Sequence, residues 1–172
     1  MKSLIATICI LGLVGMVAGV AVKADETVTA TVTPQVISVS VSDGSVSYGI
    51  LSADTNEDTT SSGVDNTQIA TNDGNVPEKF SVKSSDATST GTNWELAAST
   101  GTDDFMHEFC TLNCDGSPTW VDFNVDNTTY VTLVDSIAVS ANQDFDLRIK
   151  TPTASTDSLE HSITVTVLAE AL

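Results

Sequence analysis

The chain has 172 residues, of which 23 are Asp or Glu and 6 are Lys or Arg, giving a formal net charge of −17 with 41% hydrophobic residues. That is enough sequence for one domain, and apolar residues spread along its length exclude a disordered acidic tail. A single short apolar run excludes a multi-span membrane protein, and like-charge repulsion argues against nucleic acid and anionic lipid as partners.

The apolar run comes first. Leu4 to Val22 follows Lys2, and Val22-Lys23-Ala24 places small residues at the −3 and −1 positions of signal peptidase. This predicts a signal helix over residues 1–24 that is removed before Asp25. The product is expected to be a secreted, Sec-exported bacterial protein of the extracellular cell surface, with no membrane span after cleavage. An uncleaved anchor is the alternative, because 19 residues can just cross a bilayer. Cys9 does not mark a lipid anchor, since Ile8 precedes it where a small residue is expected. Residues 25–172 keep 4 basic and 23 acidic side chains, a net charge of −19.

From Thr27 the sequence reads as strands and turns. Thr27 to Val32 alternates strictly, with Val28, Ala30 and Val32 on one side. After Pro34 the run Ile37 to Val41 alternates in the opposite phase, so a bulge or break is expected near Pro34. Asp43-Gly44 then separates that run from Val46 to Ile50, the strongest hairpin signal in the chain. Ser52 to Asn66 reads as a polar loop. Within it Asp54, Asn56, Asp58 and Asp65 have the acidic spacing of a calcium loop, in which hard oxygen ligands wrap one ion. Thr59 stands where the turn glycine of such a loop would be, and a solvated loop is the competing reading.

Alternation resumes at Gln68 to Thr71, at Phe80 and Val82, at Trp94, Leu96 and Ala98 after a Ser/Thr-rich stretch, and at Phe105 to Phe109. His107 shares its phase with Phe105 and Phe109, which marks it as a packing residue. Cys110 and Cys114 follow. In an exported chain such a pair reads as one disulfide. Four residues of strand span about 13 Å, so a bond between alpha carbons about 5.5 Å apart requires a reversal, which Asn113, Asp115-Gly116 and Pro118 supply. A metal site of His107, Cys110 and Cys114 is the rival, and it lacks a fourth ligand. The remaining segments are Trp120 to Phe123, Tyr130 to Val134, Ile137 and Val139, Phe145 to Ile149, and finally Ile163, Val165 and Val167, with His161 in phase with the last set. About ten short strands at ten-residue spacing predict an all-β fold: an Ig-like β-sandwich of nine to ten antiparallel strands, as one domain over residues 25–172.

Three elements, Val46-Ser47-Tyr48-Gly49, Ala70 to Pro77 and Asn93-Trp94-Glu95-Leu96-Ala97-Ala98, together resemble small exported β-sandwich proteins of the bacterial surface. The order is similar to the WxL-domain pattern, in which a V-S-F/Y-G strand precedes a G-W-x-(V/L) strand. The C-terminal Trp-x-Leu element that this family uses for wall binding is missing, the last strand reading Ser162 to Leu168. No binding residue is carried over from the resemblance.

Two histidines with no matched nucleophile make no triad, and no phosphate-cradling or zinc-protease motif occurs. The expected function is therefore a non-enzymatic structural or adhesive surface protein that uses no cofactor. Its partners are other copies of itself or envelope components. The strand-exchange candidates are Val28, Ala30 and Val32 at one terminus and Ile163, Val165 and Val167 at the other, neither strand being blunted by Lys or an internal Pro. The alternative is a monomeric extracellular module that binds carbohydrate, through Trp94, Trp120 or Tyr48 if they line a groove, or calcium.

Overall fold

The computed structural model describes residues 25–61 and 63–172. Predicted signal residues 1–24 lie outside that range. The chain divides into two units, with the boundary between Thr33 and Pro34. In the first, residues 25–33 form no helix or strand and are exposed throughout. The alternating Thr27 to Val32 segment, predicted as a strand, thus has no strand partner among the described residues, and Val28 and Val32 are 94% and 90% exposed.

The second unit contains ten strands and, among the described residues, no α-helix. They are β1 (Val39–Ser42), β2 (Asn56–Asp58), β3 (Gln68–Asn72), β4 (Glu78–Ser84), β5 (Glu95–Leu96), β6 (Asp104–Cys110), β7 (Val121–Asp122), β8 (Val131–Ile137), β9 (Asn142–Lys150) and β10 (Val165–Ala171). One sheet runs β1-β3-β9-β6-β5, with β2 also on β9 and β7 also on β6; the other runs β10-β4-β8. The long strands β9 and β6 organise the larger sheet because each holds two short strands end to end on one edge. β9 pairs with β3 through Asn142 to Phe145 and with β2 through Arg148 to Lys150. The two sheets match the predicted all-β class, but the pairing is mixed: β5 runs parallel to β6 through Glu95↔Asp104 and Leu96↔Phe105.

Period-two patterning explains the core. Phe145, Leu147 and Ile149 of β9, Phe105 and Phe109 of β6, and Phe80 and Val82 of β4 are each buried from solvent and form one cluster between the sheets. Burial of each large side chain contributes roughly 2 kcal/mol. The opposite face of β9 is polar yet covered. The Asp146 carboxylate accepts hydrogen bonds from the hydroxyls of Thr59 (2.7 Å) and Thr67 (2.8 Å). Next to it, Arg148 forms a bidentate pair with Glu108 of β6 at 2.6 Å per contact and lies 4.7 Å from the Trp120 ring centroid.

Two local expectations are corrected. Part of the polar loop is the strand β2, recruited by the exposed C-terminal half of the β9 edge. The chain does turn at Asp43-Gly44, both with φ of 66°, but the arms do not form a hairpin. β1 pairs with β3, and the Gly44 N–H is held by Ser42 O and the Gln68 side chain. Val46, Tyr48 and Leu51 instead pack their side chains on the core. Among the described residues the backbone of Val46 to Leu51 has no hydrogen-bond partner.

Candidate functional site: a cleft between two sheet edges

β1 ends the larger sheet and β10 ends the smaller one, and each is paired on one side only. Between them opens a cleft of about 1140 Å³. Its walls are Val39, Val41 and the unpaired Val46 to Leu51 on one side, and Ile163, Val165 and Val167 on the other. Phe145, Leu147 and Ile149 of β9 form the floor, so the cleft opens directly onto the main core. Ile163, Val165 and Val167, singled out from the sequence, all face it; Ile163 lies just before β10 rather than in it. The opposite wall and the floor were not anticipated. The signal available was the Val46-Ser47-Tyr48 alternation, which marks a half-buried segment without saying that its backbone lacks a partner.

Under the cleft lies a short polar chain. Ser84 Oγ is 2.8 Å from His107 Nδ1, and Tyr48 Oη is 3.4 Å from His107 Nε2. His107 is 2% exposed, more deeply buried than its strand phase alone implied. Burial depresses its pKa from 6.5 to about 3, so the ring is neutral at pH 7. Burial, reinforced by Asp58, Asp146 and Glu57, drives the Tyr48 phenol far above its usual range. His107 has no bonded carboxylate, so the Ser84–His107 pair lacks the orienting acid of a hydrolytic triad.

One end of the cleft is closed by a clasp around Trp94. The His161 ring stacks on the indole at 3.9 Å between centroids, 19° between planes, and Phe105 packs on it at 6.4 Å. His161 Nδ1 and Nε2 each lie 2.9 Å from a carbonyl oxygen, of Leu159 and Thr92 respectively. Asp157 accepts from the N–H groups of Thr92 and Leu159, and Asp103 accepts from Thr156 N–H and the Ser155 hydroxyl. These backbone donors hold both carboxyls below the usual range. Trp94 Nε1 donates to Ser155 Oγ at 2.9 Å, so the indole is fixed. Trp94 and Tyr48 do line the cleft, but the indole stacks under His161 and the phenol is sunk toward His107. Trp120 lies elsewhere, against Arg148.

The calcium loop does not assemble. Asp58 lies in β2 and its Oδ1 accepts from Thr60 N–H, Thr60 Oγ1 and Ser61 Oγ. Asp54 and Asp65 both take positive φ, at turns on either side of β2. Among the described residues no group of three or more His, Cys, Asp or Glu is placed to hold a metal ion, so Asp54, Asn56, Asp58 and Asp65 are not brought together as ligands. The physical reason is that pairing with β9 straightens Asn56–Asp58 where a calcium loop must curl. The cysteine expectation holds: Cys110 and Cys114 form a disulfide, their alpha carbons 5.9 Å apart. Asn113, at φ 54°, accepts the N–H groups of Gly116 and Ser117 and reverses the chain. This pairing leaves neither sulfur free for a zinc site with His107.

No protein-family model, curated protein or solved structure matches the chain, so the functional reading rests on this geometry.

Proposed function

We propose that this protein is a secreted, non-enzymatic structural subunit of a bacterial cell surface that assembles by adding strands across open sheet edges. The observation that carries the reading is the pair of one-sided edge strands, β1 and β10, whose valines line one cleft. Monomeric proteins cover, shorten or charge such edges. β10 is seven residues long, and the only charged residue in it is Glu170 near its end. The Cys110–Cys114 disulfide fits an oxidising compartment. The body is read as an Ig-like sandwich whose two sheets have not closed at one side. His107 is 2% exposed, with Ser84 on Nδ1 and Tyr48 near Nε2, which supports a packing role for it. The test is electron microscopy and sedimentation of the purified chain from micromolar to millimolar concentration, with and without calcium. Fibres or lattices are expected in both conditions, and a chain that stays monomeric throughout refutes the proposal.

A further inference from the structure

The second unit has an open cleft, and the first has an exposed alternating segment with no strand partner among the described residues. Resting on the assembly reading above, we infer that the cleft accepts residues 27–33 of a second copy as an additional strand, with Val28, Ala30 and Val32 facing the floor and the threonines facing outward. Three observations point to this occupant. The spacing matches: Val28, Ala30 and Val32 repeat every second residue over about 13 Å, as do Ile163, Val165 and Val167 on the wall they would adjoin. The charge matches: in a chain of net charge −17, Thr27 to Thr33 carries none, so it can lie along the valine wall of the cleft without burying an ion of its own. Finally, Val28 at 94% and Val32 at 90% exposed are the two large aliphatic side chains of the alternating segment, and strand addition would remove both from water.

Charge also sets the direction. The acidic residues lining the cleft, Asp157 and Glu160, precede Ile163 in the chain, and no charged residue lines it beside Val167. The incoming segment begins with Asp25 and Glu26. Keeping like charges apart places Val28 beside Val167, Ala30 beside Val165 and Val32 beside Ile163, antiparallel to β10. Donor and acceptor are different surfaces of one chain, so each copy that accepts a strand still has one to donate. Such heterologous contacts build filaments when the rotation between successive copies does not close a ring.

The experiment uses full chains. The variant V28D/V32D alters only exposed positions, so it is expected to fold, to sediment as a monomer and still to bind a fluorescent peptide of residues 25–35. The same peptide carrying both aspartates should bind about a hundredfold more weakly. Under mild oxidation a Thr29→Cys chain mixed with a Thr166→Cys chain should cross-link, and a Thr31→Cys chain with Thr166→Cys should not; the reverse result overturns the antiparallel orientation. Fibres that form equally well from V28D/V32D overturn this inference and leave the assembly reading standing. A wild-type chain that remains monomeric overturns both, whether or not the peptide binds.

Discussion

Acid should destabilise this fold through His107 in a window set by its burial. The ring sits among Phe105 and Phe123, at centroid distances of 6.3 and 4.9 Å, with Ser84 on Nδ1 and Tyr48 near Nε2. Its folded pKa is about 3, against 6.5 for the ordinary group. The folded state therefore resists protonation and the unfolded state does not. The stability due to the neutral ring is complete above pH 6.5 and is lost as pH falls from there toward 3. At pH 4.5 the unfolded chain has gained a proton that the folded chain refuses, a loss of about 3 kcal/mol relative to pH 7.5. Relief of repulsion in so acidic a chain acts in the opposite direction, which is why the measurement must be a double difference. His107→Asn keeps a polar group near the Nδ1 position but cannot titrate. Urea unfolding of both proteins at pH 7.5 and 4.5 cancels the shared background of carboxylates and net charge. The wild type should lose about 3 kcal/mol more than the variant over that interval. Equal losses in the two proteins would refute the argument that burial holds this ring neutral.

Four other outcomes follow from named contacts. Arg148→Leu leaves Glu108, only 7% exposed, with an unpaired charge, and should cost about 3 kcal/mol in urea unfolding, more than Glu108 and Arg148 replaced together. Reduction of Cys110–Cys114 opens a very short loop and should lower stability by about 2 kcal/mol, with the β-sheet circular dichroism retained. Gly74→Ala drives a methyl into the Glu78 carboxylate and Val36 O, and should lower the melting midpoint and speed hydrogen exchange at Ser38, whose N–H bonds to Glu78 at 3.0 Å. Raising sodium chloride from 20 to 500 mM should accelerate fibre formation by screening like-charged bodies, while binding of the 25–35 peptide with Asp25 and Glu26 replaced by serine stays nearly constant because that segment is then uncharged.

Period-two patterning made the strands legible wherever one face met the core: β4, β6, β8 and β9 all lie where Phe80, Phe105, Leu133 and Phe145 announced them. The disulfide was legible for a similar reason, because geometry demands a turn between cysteines four apart and the turn residues are there. What the sequence hides is which edge each strand takes. Asn56–Asp58 has no apolar alternation at all, and it is a strand because β9 outruns β3 and exposes backbone groups that Thr55 to Asp58 can satisfy. Asp43-Gly44 adopts the turn its residue types favour, yet β3 and not Val46 to Ile50 captures β1, since Ser40 and Ser42 can pair with Thr71 and Ile69 while Val39 and Val41 face the cleft. A hairpin signal records local backbone preference; the competing strand, 26 or more residues away, is invisible to it.

The same distinction accounts for the candidate site. Val165 and Val167 were recognisable as a strand with no blunting residue, but an edge is a property of the sheet, not of the segment. It became one because β4 pairs with β10 on one side and nothing in the second unit supplies a strand on the other. The acidic composition sharpens the consequence. A surface bearing so much charge of one sign opposes contact between copies, and least so where both partners are uncharged; two segments of matching period meet that condition, Ile163 to Val167 on the cleft wall and Thr27 to Thr33. In the proposed assembly, charge would restrict association to one geometry while the apolar alternation supplies its free energy, so that specificity would arise from repulsion over the rest of the surface as much as from attraction at the contact.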